Sequence, residues 1–245
     1  MISKVIISSF ILYFISVLNA CQIEKTDNSS ANLPDLDSLK TLIYTAHYVD
    51  SILQYEWISC RMQLNYSNNI EEEIFLASAT HANELFIKND SIQLQMINGE
   101  WEDKDNQSDN FKTQASLWQY YLLAPYKLSE SDKIWSIDTF HVLQEEEWLC
   151  AHYHHSKNPN DIYYVFTDPK HHIIRAIGLD SKENGNDFII LYESYTMESS
   201  GLFPNRWLLY SWNMIEGLKG KLGEVELYSY QLSDYEKVLE LSAEF

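Results

Sequence analysis

Between Asp161 and Trp212 the hydrophobic positions fall into four runs bounded by turn-forming residues. The runs are Asp161–Thr167, His171–Leu179, Asp187–Tyr195 and Leu202–Trp212, separated by Thr167-Asp168-Pro169-Lys170, Ser181–Asn186 and Ser199-Ser200-Gly201. β-Branched and aromatic residues dominate them, which predicts antiparallel strands. Both faces of these strands are apolar. Ile162, Tyr164 and Phe166 share one face against Tyr163 and Val165, and Ile189, Leu191 and Tyr195 oppose Phe188, Ile190 and Tyr192. A sheet with one wet face alternates with polar residues. This one has to be covered on both faces, by helices, by its own curvature or by a ligand.

The rest of the chain supplies covers. Leu39, Leu42, Ile43, Ala46 and Val49 recur at helical spacing after Asp35 and Asp37, predicting an amphipathic helix over Asp37–Asp50. Strands are predicted at Gln54–Tyr66, Ile74–Thr80, Asn83–Lys88 and Ile92–Ile97, with turns at Lys88–Ser91 and Asn98-Gly99. An acidic loop, Glu102–Asn110, then leads into a second helix whose face carries Phe111, Ala115, Trp118, Tyr121 and Leu122 and which stops at Pro125. Inserted between strands, that helix is a natural lid. Strands resume at Ile134–Leu143 and Trp148–Tyr153, joined by Glu145-Glu146-Glu147. A loop with Gly217 and Gly220 precedes a last strand, Glu224–Leu232. Ser233 and Glu236 form a capping box for a closing helix that docks through Leu239 and Leu241. The expected class is α+β, mainly antiparallel β, in one domain over residues 38–245.

Composition narrows the function. The 45% hydrophobic and 14% aromatic content suffices for a large core, so the chain is globular. With 17 Lys and Arg against 36 Asp and Glu, the net charge of -19 argues against nucleic acid and against electrostatic docking on anionic lipid. Near the start, Lys4 is followed by the apolar run Val5–Val17 and then Leu18-Asn19-Ala20-Cys21, a lipobox pattern. A membrane-spanning anchor is the alternative, but the run is short for the roughly 20 residues a span requires. Residues 1–20 are therefore expected to be a lipoprotein signal peptide, Cys21 the lipidated residue, and 21–37 a flexible tether. Gln22 in place of Asp favours the outer membrane of a bacterial envelope. Cys60 and Cys150 are left to pair or to stay as buried thiols.

Candidate chemistry is sparse. His152 and His154 share a strand face, and with His172 they form a weak candidate metal site, although strand-end histidines beside Lys157-Asn158-Pro159 are more often simply exposed. Glu71-Glu72-Glu73 and Glu145-Glu146-Glu147 read as solvated turns. No GxSxG, HExxH, P-loop or dinucleotide pattern occurs in a chain with seven glycines. Neither an enzyme nor a cofactor is expected. The aromatics remain: Trp118, Tyr120, Tyr121 and Tyr126 around the second helix, and Trp135, Trp148, Trp207 and Trp212 in strands. They either fill a core or line a site for an apolar ligand.

Three segments resemble a family of bacterial lipoproteins that is itself similar to the LolA, LolB and LppX group. They are Leu117–Leu128, with its aromatic pair followed by Leu-Leu-Ala-Pro-Tyr, the strand and turn Asp161–Pro169, and Gly201–Trp207. Leu218–Leu227 adds a weaker match, and His47 resembles a histidine that closes the first helix of that family. The similarity runs over about Leu39–Leu232. It implies a strongly bent, half-open β-barrel with helices over its concave face, holding acyl chains in the carriers of the group and lacking catalytic residues. On that basis the candidate ligand lining is Trp118, Tyr121, Leu122, Tyr164, Phe166, Ile190, Tyr192 and Trp207. The expected partners are a lipid or lipoprotein acyl chain and the membrane through the anchor. The alternative is a lipoprotein with a filled core that binds proteins.

Overall fold

The computed structural model describes residues 34–67, 71–102, 109–128, 130–181, 187–198 and 201–245. The expected leader, lipobox, Cys21 and most of the expected tether lie outside them, as do residues 68–70, 103–108, 129, 182–186 and 199–200. Twelve antiparallel strands form one sheet: β1 (Trp57–Tyr66), β2 (Glu71–Ala79), β3 (Leu85–Lys88), β4 (Gln93–Ile97), β5 (Glu100–Glu102), β6 (Lys133–Leu143), β7 (Glu146–His155), β8 (Asn158–Thr167), β9 (Ile174–Ser181), β10 (Phe188–Glu198), β11 (Gly201–Asn213) and β12 (Gly217–Ser233). Their spatial order is β5-β4-β3-β2-β1-β12-β11-β10-β9-β8-β7-β6, so among the described residues β5 and β6 are the edges and the sheet stays half-open. The helices are α1 (Leu36–Ala46), α2 (Val49–Ile52), α3 (Asp109–Leu123) and α4 (Tyr235–Ala243), with a 3-10 turn at Ala124–Tyr126.

Both faces of the sheet are indeed covered. The inner face buries Ile58, Met62, Leu64, Ile74, Leu76, Leu85, Ile87, Val165, Ile177, Ile190, Val225 and Leu227 beneath Leu39 and Ile43 of α1 and Phe111, Ala115, Trp118, Tyr121 and Leu122 of α3. The outer face carries two apolar islands. Trp57, Phe75, Ala77, Ala79 and Phe86 lie under Val238 of α4. Trp148, Cys150, Phe166, Ala176, Ile189, Leu191 and Leu208 pack with Trp212. A charged stripe holds Arg206, paired with Glu193 at 2.7 Å and Glu224 at 3.2 Å, and Lys221, paired with Glu224 at 2.6 Å.

Several expectations need correction. The predicted helix Asp37–Asp50 is broken, because Tyr48 adopts a left-handed conformation (φ 57°) between α1 and α2 and His47 turns inward. The helix start holds, with Asp35 accepting from the Ser38 amide at 3.0 Å. β12 begins at Gly217, so the expected Gly217–Gly220 loop is strand, and β5 has no counterpart among the predicted strands. Tyr195 leaves the face predicted for it. The register shifts on either side of Ser194 bring its ring against Tyr192, 6.0 Å away, on the inner side. Finally, the cap of α4 is Asp234, not Ser233: its carboxylate accepts from the Lys237 amide at 3.0 Å. Asp234→Ala is therefore expected to lose about 1 kcal/mol in urea unfolding, whereas Ser233→Ala leaves stability within about 0.5 kcal/mol. The opposite order of effects would return the cap to Ser233.

Candidate functional site

The chain leaves the sheet at one edge, β5, and re-enters it at the other, β6, and α3 lies between those two points. Its polar and aromatic ties reach both halves of the sheet. Gln119 donates to Ser78 Oγ on β2 at 2.8 Å and to the Glu84 carbonyl ahead of β3 at 2.9 Å. On the other side the Tyr120 ring lies 5.1 Å from Tyr163 of β8, and the Tyr121 ring 5.9 Å from Phe188 of β10. Tyr192 of β10 donates its hydroxyl to the Tyr121 carbonyl at 2.9 Å. α3 thus lies across the inner face of the sheet, tied by these contacts to both of its halves.

The C-terminal end of α3 is pinned more firmly. Pro125 ends it in the 3-10 turn, and Tyr126 donates to the Leu202 carbonyl at 3.3 Å. The Lys133 ammonium, inside the protein, donates to the Lys127 carbonyl at 2.5 Å and to Glu130 at 2.7 Å, and sits 5.2 Å over the Tyr153 ring. Burial pulls the Lys133 pKa below its usual range against these partners. Trp135 Nε1 donates to the Leu128 carbonyl at 3.1 Å. Beside it the His155 ring and the Asp132 carboxylate pair at 2.8 Å, and that bond holds the Asp132 pKa down.

Six of the eight residues expected to line a ligand site come together here. Trp118, Tyr121 and Leu122 project from α3, and Ile190, Tyr192 and Trp207 from the sheet, all in one buried cluster. Tyr164 and Phe166 do not join them. Both lie on the outer face against Trp212, at ring distances of 5.5 and 6.1 Å. On β8 it is Tyr163 and Val165 that face inward, opposite Tyr153 and Ala151 of β7. Because both faces of that strand are apolar, its parity could not be read from the sequence alone.

The histidines are not gathered. His152 and His154 follow Cys150 on β7, whereas His172 occupies the turn beyond the Leu149–Thr167 pair. Among the described residues no group of three His, Cys, Asp or Glu is placed to hold a metal. Cys60 is buried in the inner cluster and Cys150 in the outer one, and the two are not bonded to each other. The sheet separates them, which rules out the disulfide left open above.

His47 has a larger place in the structure than the sequence suggested. It caps α1 and is fully buried, its Nε2 accepting from the Ile174 amide at 3.0 Å. Its ring meets Tyr195 edge-on at 5.5 Å. Burial drives its pKa down to about 4, while the Leu202 carbonyl acts weakly in the other direction. The one signal was its resemblance to a helix-closing histidine, since Val49 carries the helical spacing on past Ala46, and spacing does not say which strand the ring will meet.

The sequence matches no protein-family model and no curated protein. Its structure is similar to a DUF1329 family protein from Desulfovibrio piger, with a TM-score of 0.52 and 5% identity over 82% of this chain and 94% of that one. The half-open antiparallel fold is what the two have in common. Lower similarity extends to an outer membrane lipoprotein-sorting protein domain from Vibrio parahaemolyticus, with a TM-score of 0.47 and 10% identity over 84% of this chain and 98% of that one. A LolA superfamily protein from Nitrosomonas europaea follows, at 0.39 and 9% over 78% and 96%. At such identities the likeness concerns architecture alone, and function has to be argued from the site.

Proposed function

We propose that this protein is a non-enzymatic lipoprotein of the bacterial envelope, anchored through Cys21, that takes an acyl chain between α3 and the inner face of its sheet. The observation that carries this reading is the edge-to-edge placement of α3. A helix strung between the two free edges of a half-barrel can lift without breaking a strand pair, and the surface beneath it is continuous and apolar. An acyl chain can replace the contacts of Phe111, Trp118, Tyr121 and Leu122 one for one, since hydrophobic contact is non-directional. The pinned C-terminal end serves as the hinge. Domain boundaries at 20 and 37 belong to the same reading, and sorting to the outer membrane follows from Gln22. The structure described is then the closed state, with its aromatic side chains filling the space that a ligand would take.

Gln119 is the latch. Replacing it by leucine removes two hydrogen bonds, one buried and one half-buried, and is expected to weaken closure by about 1–2 kcal/mol. The readout is faster amide exchange across Asp109–Leu123, together with faster uptake of a fluorescent fatty acid. Native mass spectrometry of the protein drawn from its host membrane should show a bound lipid. If neither wild type nor Gln119→Leu carries or takes up lipid, the protein is not a lipid binder.

A further inference from the structure

The outer face of the sheet holds a cavity away from α3. It lies between α4 and strands β1 and β12 and has a volume of about 140 Å³. Strand register assembles its floor. Ser59 and Arg61 are alternate residues of β1 on the face of Trp57, with Ser59 opposite Gln231 of β12 and Arg61 opposite Phe75 of β2. Opposite Cys60, β12 carries both Ser229 and Tyr230, and Ser229 adopts a left-handed conformation (φ 54°). Such bulges re-aim side chains and are frequent beside functional sites. Ser59 is 1% exposed, and among the described residues its hydroxyl meets no hydrogen-bonding partner. Native interiors seldom leave such a group unpaired.

The same cavity brings one cation and one anion together. Arg61 is only loosely paired, 3.8 Å from a Glu73 oxygen that also accepts from the Tyr228 hydroxyl at 2.5 Å. Its guanidinium rests 5.3 Å from the centre of the Phe245 ring. Glu244, just after α4, lines the cavity as well, and Leu241 of α4 faces Phe75 as an apolar wall. We propose that this cavity binds a small zwitterionic amino acid, with its carboxylate on Arg61 and Ser59, its ammonium on Glu244 and its short side chain between Phe75 and Leu241. Size sets one limit. A cavity of about 150 Å³ admits benzene, so a ligand of about six non-hydrogen atoms fits here, the size of alanine. Charge sets the other. A bare carboxylate would approach against the field of a chain with net charge -19, and a bare amine would meet Arg61. A zwitterion is neutral and answers both signs. The site lies across the sheet from α3, so it stands whether or not the inner face takes a lipid.

The test is equilibrium dialysis of the full chain, kept soluble in amphipol, against radiolabelled alanine. Saturable uptake of one equivalent is expected. Propionate and ethylamine each carry one of the two charges, and each should compete only at about tenfold higher concentration than unlabelled alanine. Arg61→Gln and Glu244→Gln should each weaken alanine binding about tenfold. Neither side chain is buried, so both variants should fold. Ser59→Ala should weaken binding too, yet without ligand it should melt at the wild-type temperature or higher, because the hydroxyl it removes has no partner in the fold. Absence of saturable uptake by wild type overturns the site. Propionate competing as well as alanine, or binding untouched by Glu244→Gln, overturns the zwitterion. A lower melting temperature for ligand-free Ser59→Ala overturns the place of Ser59 in the site.

Discussion

Trp212→Ala is expected to destabilise the protein by about 3–5 kcal/mol, the range for emptying a buried tryptophan site. Trp212 is 2% exposed and belongs to the last residues of β11, yet its ring reaches across the outer face to the strands beyond β10. It packs edge-on against Tyr164 and Phe166 and lies directly over Gly178 of β9. No helix covers this island among the described residues, so the indole is the cover itself. Removing it exposes Phe166, Ala176 and Ile189 to water as well as leaving a void. In chemical denaturation the midpoint should fall with an unchanged slope, and the melting temperature should drop by roughly 10 °C. A loss under about 1 kcal/mol would show that the island does not depend on Trp212. The converse substitution tests the same contact. A Cβ at Gly178 would lie 2.6 Å from Trp212 Cζ3 and 2.9 Å from Cη2. Gly178→Val should therefore cost about 1–3 kcal/mol by expelling the ring, and much less once Trp212 is already alanine, a coupling that a double-mutant cycle reads directly.

The second large effect is acid lability centred on His47. Its pKa lies near 4 in the folded protein against 6.5 for the ordinary side chain, because burial disfavours the charged ring. Between those two values the unfolded chain binds a proton that the folded chain refuses, so stability rises with pH across this window. The contribution is complete above pH 6.5 and is lost as the pH falls toward 4. The gap between the folded and unfolded values corresponds to about 3 kcal/mol. Protonation would also place a donor where the Ile174 amide already donates, so the hydrogen bond fails together with the burial. Asp132, Asp168 and Glu224, whose pKa values are depressed by partners and backbone amides, act lower on the scale. His47→Gln retains an acceptor and cannot be protonated. Urea titrations from about pH 4.5 to 7.5, spanning the window in which the two states differ in bound protons, should give a steep slope for wild type and a shallow one for the variant. Parallel slopes would assign the acid lability to other groups.

Local patterns carried much of the architecture. The strands from Asp161 onward, the helix bearing Phe111, Ala115, Trp118, Tyr121 and Leu122, and the cap at Asp35 all follow from spacing and turn chemistry. Errors arose where the deciding interaction was remote. Tyr48 breaks the first helix so that His47 can reach Ile174, which lies 127 positions along the chain. Tyr195 changes face because of an irregularity at Ser194 that only its pairing with β11 reveals. Asp234 outcompetes Ser233 as a cap by one residue, a margin too fine for pattern alone.

The doubly apolar stretch Asp161–Trp212 established by itself that the sheet would need a cover on each face, since period and hydrophobicity are properties of the strand alone. Which residues face which cover was decided by tertiary structure. Register with β7 and β9 turned Tyr163 and Val165 toward the helices and sent Tyr164 and Phe166 outward under Trp212. The placement of α3 likewise has two origins. Its helical face is written in the spacing of its aromatics, but its position comes from strand order, which places β5 and β6 at opposite edges and strings α3 between them. Strand order is a matter of long-range pairing, and no local segment encodes it.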